Sequence, residues 1–366
     1  MSRTEYLKAI HNARRVVIKV GTSLLTDSTG MRETMLKTLV SEIDFLRRQK
    51  KQVMLVTSGA VGMARSVLRE RALTTDLPRK QALAAIGQGR LIAQYEKAFG
   101  NVGLLTAQLL ITARDLRDRR AYLNIGNTME ELIGMDVLPI INENDTVSTD
   151  ELKFGDNDLL SAACSSLFGA ELLIILTSAP GFLKNGERVS HLSNITPDDM
   201  QHAHGPAGPG SGGMRTKLRA GQLCLISGQM LAILPGDEPN PVQALFEGKD
   251  IGTLIAGQSK RRISARKKWL LYARPEGELR IDSGASTALI ARGSSLLAAG
   301  IREIRGTFLA GDPVEVLTLD GITLGRGIVS YSERDLSHYL ANPDAEKKQL
   351  HGPGAVIHRD NLILED

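Results

Sequence analysis

The chain is 366 residues long, 42% hydrophobic and 23% charged, with a net charge of +4 and two cysteines. This balance fits a soluble globular chain with room for two cores, and it excludes disordered, collagenous and disulfide-stapled classes. No stretch reaches the roughly 18 consecutive apolar residues of a membrane span. Met1–Arg15 mixes Arg3, Glu5, Lys8, Arg14 and Arg15 without an apolar run and is not expected to be a secretory signal, so a cytoplasmic protein is expected. Aromatic residues are only 4%, which leaves the cores to Leu, Ile, Val and Ala. Cys164 and Cys224 lie in apolar surroundings without metal-ligand spacing and read as reduced core residues.

Arg15–Val20 is a short apolar run ending in Gly21-Thr22-Ser23, which predicts a buried strand and a turn. Met31–Arg48 carries Met35, Leu36, Leu39, Val40, Ile43 and Leu46 at helical spacing. Gln52–Val56 predicts a second strand, closed by Thr57-Ser58-Gly59-Ala60. Helices are expected over Arg79–Phe99 and Arg119–Gly134, and strands over Val137–Ile141 and Leu172–Thr177. Met230–Leu234 reads as the last strand of this set. Short apolar strands alternating with helices imply an α/β fold with a mostly parallel sheet covered on both faces. Beyond Ile263 the texture changes. Trp269–Tyr272, Glu278–Ile281, Pro313–Leu317, Thr323–Ser330 and Ala355–His358 read as short strands, with a helix at Ala285–Arg292, which suggests a small β-rich domain.

The polar segments fall where such sheets bind ligands, beyond the carboxyl ends of the strands. Lys19 ends a strand beside a glycine turn, where an ammonium and backbone N–H groups can meet phosphate oxygens, although a strand-edge lysine alone would say little. A G-x-x-x-x-G-K-[ST] sequence is absent, which disfavours a P-loop. Ser58 can cap the helix that follows it or hold a substrate carboxylate. Asn142-Glu143-Asn144-Asp145, directly after a strand, suits an amino acid, with amides for its carboxylate and Asp145 for its ammonium. An Asx-rich loop is the plainer reading of the same run. In Gly155-Asp156-Asn157-Asp158, the carboxylate of Asp158 can orient two lysines, while Asp156 or Asn157 can simply cap a helix over Leu159–Leu167. Gly210–Lys217 is a glycine loop leading into a helix, with Lys217 in the first turns.

In this order, Lys19-Val20-Gly21-Thr22-Ser23, Val56-Thr57-Ser58-Gly59-Ala60, Asn142–Asp145, Gly155–Asp158 and Gly212-Gly213-Met214-Arg215-Thr216-Lys217 resemble the amino-acid kinase superfamily. Gly284-Ala285, Arg292–Leu297 and Val356–Asp360 resemble an appended PUA domain. The resemblance covers nearly the whole chain. It implies a three-layer sandwich around a mostly parallel sheet over residues 1–258, a basic linker over 259–268, and a PUA-like β-rich domain over 269–366. The implied activity is ATP-dependent phosphorylation of the γ-carboxylate of L-glutamate, the first step of proline biosynthesis, with Mg²⁺ accompanying the nucleotide. By the same resemblance, Lys19 and Lys217 stabilise the transferred phosphoryl group and Asp158 organises both. Ser58, Asn142, Asp145 and Asn157 bind the acceptor. Lys19, Gly21, Thr177, Ser178, Ser211, Gly212, Gly213, Met214, Arg215, Thr216 and Lys217 bind the nucleotide, and no residue is assigned as a metal ligand. A homo-oligomer, dimer or tetramer, and feedback inhibition by proline are implied as well.

Two segments depart from the family pattern. Ser178 stands where an aspartate is usual, and Gly181-Phe182-Leu183-Lys184-Asn185-Gly186 is closer to the loop of acetylglutamate kinases. Ile233–Pro239 replaces an Ala-Gly-rich turn. Both departures bear on the nucleotide half and leave open two alternatives, a kinase for N-acetylglutamate or aspartate and a non-catalytic regulator that binds glutamate or RNA. RNA binding by the C-terminal part is not expected, because residues 269–366 hold ten basic against fourteen acidic side chains, a net of −4. Six basic residues crowd instead into Lys260–Lys268 and read as a solvated strip.

Overall fold

The computed structural model describes residues 3–69, 76–148, 157–203, 213–257, 265–341 and 354–364. Two compact units result, Met1–Leu116 with Arg120–Arg262, and Arg117–Arg119 with Ile263–Asp366.

The first unit is built on an eight-stranded sheet. In chain order the strands are β1 (Arg15–Val20), β2 (Gln52–Val56), β3 (Thr106–Ile111), β4 (Leu138–Glu143), β5 (Leu172–Thr177), β6 (His191–Leu192), β7 (Met230–Pro235) and β8 (Thr253–Ile255). Their order across the sheet is β6-β8-β7-β5-β1-β2-β4-β3. All pairings are parallel except that of β7 with β8. Central strands buried on both faces need apolar side chains pointing both ways. Val16, Val17, Ile18 and Val20 of β1 and Leu172–Ile175 of β5 are fully buried accordingly. Among the helices of this unit are α1 (Glu33–Arg48), α2 (Ala60–Leu68), α3 (Leu77–Gly100), α4 (Arg119–Gly134), α5 (Asn157–Phe168) and α6 (Met214–Ile226). The two expected cysteine environments are found, since Cys164 on α5 and Cys224 on α6 are buried free thiols whose pKa values desolvation pushes up to about 12.

Several elements differ from the sequence reading. β4 runs two residues further than expected, so Asn142 and Glu143 belong to the strand, pairing with Leu110 and Ile111 of β3. β3 itself is an edge strand with a mixed burial pattern, and its short alternation left no apolar run to read. Met230–Pro235 is not the last strand, because β8 closes back antiparallel on it. Three residues are too few to signal a strand without the partner they pair with. The helix after the second strand begins at Ala60, with Gly59 as its N-cap at φ +106°, so Ser58 does not cap it.

The second unit carries a five-stranded sheet: β9 (Gly277–Ile281), β10 (Ile301–Gly306), β11 (Pro313–Thr318), β12 (Thr323–Ile328) and β13 (Leu362–Leu364), in the order β10-β9-β11-β12-β13. Helix α7 (Ser283–Arg292) is capped by Asp282, whose carboxylate accepts the Ala285 N–H at 2.8 Å. Trp269–Tyr272 is not a strand but the end of a short helix, Ala265–Leu270, and a turn onto the Trp269 carbonyl. A four-residue apolar run has no period long enough to separate the two. Ala355–His358 forms only an isolated bridge between Leu296 and Ile357.

One buried acid away from the strand ends gives a pH signature. Glu42 on α1 is 1% exposed, and its two carboxylate oxygens accept the N–H groups of Val242 (2.8 Å) and Gln243 (3.0 Å). Desolvation nevertheless raises its pKa above the ordinary 4.5, the two N–H donors opposing the rise. An acid with a raised folded-state pKa takes up a proton on folding, so this contribution is full below about pH 4.5 and is lost as pH rises through the folded value. Urea unfolding of the wild type and Glu42→Gln across pH 4–7 tests this. The stability difference between the two is expected to change with pH in that direction.

Candidate active site

The carboxyl ends of β1, β2, β4 and β5 and the first turns of α5 and α6 carry the polar residues. Lys19 is the fifth residue of β1, flanked by Val56 of β2 and Ile175 of β5 in register. Helix α5 packs against β1 and α6, which places Asp158, second residue of α5, between two lysines. Its Oδ1 lies 2.6 Å from Lys19 Nζ and its Oδ2 3.0 Å from Lys217 Nζ. The Asp158 side chain is fully buried and those of Lys19 and Lys217 are 4% and 7% exposed. The Thr216 hydroxyl also lies 3.0 Å from Asp158 Oδ2 and 2.8 Å from the Gly213 carbonyl. Two ammonium groups and one carboxylate leave a net positive charge at the first turns of two helices, whose N-terminal N–H groups add to the attraction for an anion.

A second cluster adjoins through α5. Asn157 Nδ2 donates to the Thr57 carbonyl at 2.8 Å and to Asn142 Oδ1 at 3.3 Å. Asn142 Oδ1 also accepts the Glu143 N–H at 2.9 Å, and Asn142 Nδ2 donates to Gln88 Oε1 on α3 at 2.8 Å. Ser58 Oγ donates to the Val20 carbonyl at 3.1 Å, tying the end of β2 to the end of β1. Thr57 Oγ1 meets the fully buried Tyr95 hydroxyl at 2.7 Å, and burial raises the pKa of that phenol.

The sequence expectations fare unevenly. Lys19, Asp158, Lys217 and Thr216 come together, as do Asn142 and Asn157. Gly21 lies beside the lysine, since a Cβ built there would stand 3.7 Å from Lys19 Nζ. Thr177 ends β5, its carbonyl accepting the Gly236 N–H, and Ser178 follows it exposed. Gly213 caps α6; Met214 follows half-buried and Arg215 exposed. Asp145 sits half-buried in a turn whose Val147 and Ser148 N–H groups bond the Asn144 carbonyl. Glu143 has a packing role within this run, because it is buried and accepts the Ser148 hydroxyl at 2.8 Å. Gly155, Asp156, Ser211, Gly212 and the strip from Lys260 to Ser264 lie outside the described residues. Sequence reasoning missed Thr57, Gln88 and Tyr95. A signal existed: Ala84, Gln88, Leu91, Tyr95 and Phe99 form one stripe of α3, and polar groups at positions 88 and 95 interrupt an otherwise apolar face.

The divergent segment after β5 is a closed hairpin. Asn185 and Gly186 both adopt positive φ, +54° and +83°, as a two-residue turn of the mirror-image type requires, between Leu183–Lys184 and Glu187–Arg188. Lys184 then bonds Asp198 (2.6 Å) and Asp199 (2.7 Å), which fasten the hairpin to the helix Pro197–His202.

Comparison with known proteins fits this geometry. Residues 14–234 match the amino acid kinase family and residues 277–342 the PUA domain. The chain belongs to the amino acid kinase family. A carbamate kinase from Giardia lamblia bound to AMP-PNP shares the fold at TM-score 0.50, with 19% identity over 68% of this chain and all of that one. Much nearer are the glutamate 5-kinases. That of Syntrophus aciditrophicus is 38% identical, covering 98% of this chain and 96% of its own length. That of Picosynechococcus is 40% identical, covering 95% and 97%. Within the family, then, the chain's place is among the glutamate 5-kinases.

Proposed function

We propose that the protein transfers the γ-phosphoryl group of ATP to the γ-carboxylate of L-glutamate, giving γ-glutamyl phosphate and ADP as the first step of proline biosynthesis. The observation that carries this reading is the buried Lys19–Asp158–Lys217 arrangement, flanked by a cluster of amides. A carboxylate oxygen of glutamate forms a bond to the γ-phosphorus while the bond from phosphorus to the β,γ-bridging oxygen breaks. The acceptor is already ionised, so no general base and no proton transfer are required. What remains is alignment and charge stabilisation.

In this reading Lys19 and Lys217 face the equatorial oxygens of the transferred group, and Asp158, bonded to both, holds the two ammonium groups in place. Ser58, Asn142, Asp145 and Asn157 receive glutamate. Gly21, Thr177, Ser178 and the segment 211–217 receive the nucleotide. Mg²⁺ neutralises the phosphates and travels with ATP. Among the described residues there is no group of three or more His, Cys, Asp or Glu side chains that could hold a metal ion. No helix among the described residues is long and apolar enough to cross a membrane. A cytoplasmic location, assembly as a homo-oligomer, proline inhibition and the limits 1–258, 259–268 and 269–366 for kinase domain, linker and PUA-like domain complete the proposal.

ADP release with Mg²⁺-ATP tests it, with L-glutamate, N-acetyl-L-glutamate and L-aspartate as acceptors and Lys217→Ala as control. Turnover is expected with free glutamate and a loss of about 10²–10³-fold in kcat in the control. Equal or better turnover of the acetylated acceptor would overturn it.

A further inference from the structure

We infer that Gln88, on helix α3, is a positioning residue that braces the polarity set in the acceptor site by the Glu143 N–H and the Thr57 carbonyl, so that Asn157 meets the free α-ammonium of the substrate. This rests on the glutamate-kinase reading above and deepens it.

Which atoms can donate decides how each amide is turned. An amide side chain can be turned either way unless a neighbour of fixed character decides it. Two such neighbours bracket this cluster. The Glu143 backbone N–H can only donate, so the Asn142 atom facing it at 2.9 Å is the carbonyl oxygen. The Thr57 backbone carbonyl can only accept, so the Asn157 atom facing it at 2.8 Å is the amide nitrogen. The 3.3 Å contact between Asn157 Nδ2 and Asn142 Oδ1 then agrees with both anchors. With Asn142 Oδ1 already accepting from two donors, its Nδ2 faces α3, where Gln88 presents Oε1 at 2.8 Å.

The consequence lies on Asn157. Both hydrogens of its amide are engaged, one by Thr57 and one by Asn142. It can offer a ligand only its carbonyl oxygen, an acceptor. An acceptor suits an ammonium and repels a carboxylate, so this asparagine selects a primary amine rather than holding the α-carboxylate. Gln88 acts at one remove: without its oxygen, Asn142 Nδ2 loses its partner, and the arrangement that the Glu143 N–H and the Thr57 carbonyl select is held less firmly. Half-buried on a helix, Gln88 is a position where a side chain can be exchanged without opening the core.

The test compares wild type, Gln88→Leu and Gln88→Glu in ADP release with Mg²⁺-ATP, using L-glutamate and glutarate, which lacks the amine. Gln88→Leu removes the acceptor. It should raise KM for glutamate about tenfold, the effect of one lost hydrogen bond, leave KM for ATP unchanged, and narrow the preference for glutamate over glutarate. Gln88→Glu keeps an acceptor and should retain that preference even where its added charge weakens both acceptors. If Gln88→Leu keeps the wild-type preference, or shifts KM for ATP and glutamate alike, the inference is wrong while the kinase reading stands. If wild type shows no turnover with glutamate, both fall together. Should Gln88→Leu fail to fold, loss of the preference in folded Gln88→Glu would overturn the inference by itself.

Discussion

Replacing Asp158 by asparagine is expected to lower kcat by about 10²–10³-fold while nucleotide still binds. The carboxylate is fully buried and lies 2.6 and 3.0 Å from two lysines that are themselves nearly inaccessible. A neutral amide can accept from one of them but turns an N–H toward the other or toward the Thr216 hydroxyl. The two ammonium groups then lose the buried carboxylate that lies between them. Breaking a buried ion pair from one side costs about 3–5 kcal/mol, so the empty variant should also unfold at markedly lower urea. A polyphosphate supplies the missing negative charge. ATP should therefore raise the thermal midpoint of Asp158→Asn by more than it raises that of the wild type. A variant that kept wild-type kcat, or that ATP failed to stabilise, would remove Asp158 from the centre of the site.

The second large effect is expected at Gly87. A Cβ there would stand 1.7 Å from the Ala60 carbonyl oxygen and 2.9 Å from the Ala64 nitrogen, both backbone atoms of α2. Nothing flexible can yield, so Gly87→Ala must push α2 and α3 apart, at a cost of about 2–3 kcal/mol. Gly89, two residues on in the same helix, has open space around it. Gly89→Ala should instead stabilise the protein by up to about 1 kcal/mol, the ordinary gain of alanine over glycine in a helix. The two variants change the same helix in the same way on paper, and only contact with α2 separates them. Because α2 follows Ser58 directly and α3 carries Gln88 and Tyr95, Gly87→Ala should also raise KM for glutamate with little change in KM for ATP. Denaturation midpoints of opposite sign for the pair are the measurement. Equal midpoints would mean that the helices do not meet closely at Gly87.

Both effects trace to where the chain turns at the strand ends. Gly59 at φ +106° lets β2 end and α2 begin within three residues, which brings Ser58 beneath the Val20 carbonyl and α2 against α3. At Gly236 a Cβ would lie 2.4 Å from the end of the Leu24 side chain and 3.2 Å from Leu176, so the Ile233–Pro239 segment keeps a glycine where space is short. The other departure, the shortened segment after β5, folds into a hairpin pinned by Lys184.

The alternation of strands and helices was legible in the sequence, because continuous apolar runs such as Arg15–Val20 and Leu172–Thr177, closed by polar turns, suit strands buried on both faces. The sequence also determined the identities of the charged residues. Lys19, Asp158 and Lys217 stand next to turns and helix starts, where burial of an apolar core gives them no purpose. Only the tertiary structure decided what was too short or too distant to leave a local signal. β8 exists because three residues can pair with β7, β3 because β4 offers it an edge, and Trp269–Tyr272 is helical although its run is as apolar as a strand. Hydrogen-bond direction was equally beyond the sequence. An asparagine is donor and acceptor at once, and the choice between them falls to Glu143, the chain neighbour of Asn142, and to Thr57 and Gln88, which folding brings from the end of β2 and from α3. Local pattern fixes what each residue can do, and packing fixes which of those capacities is left for a ligand.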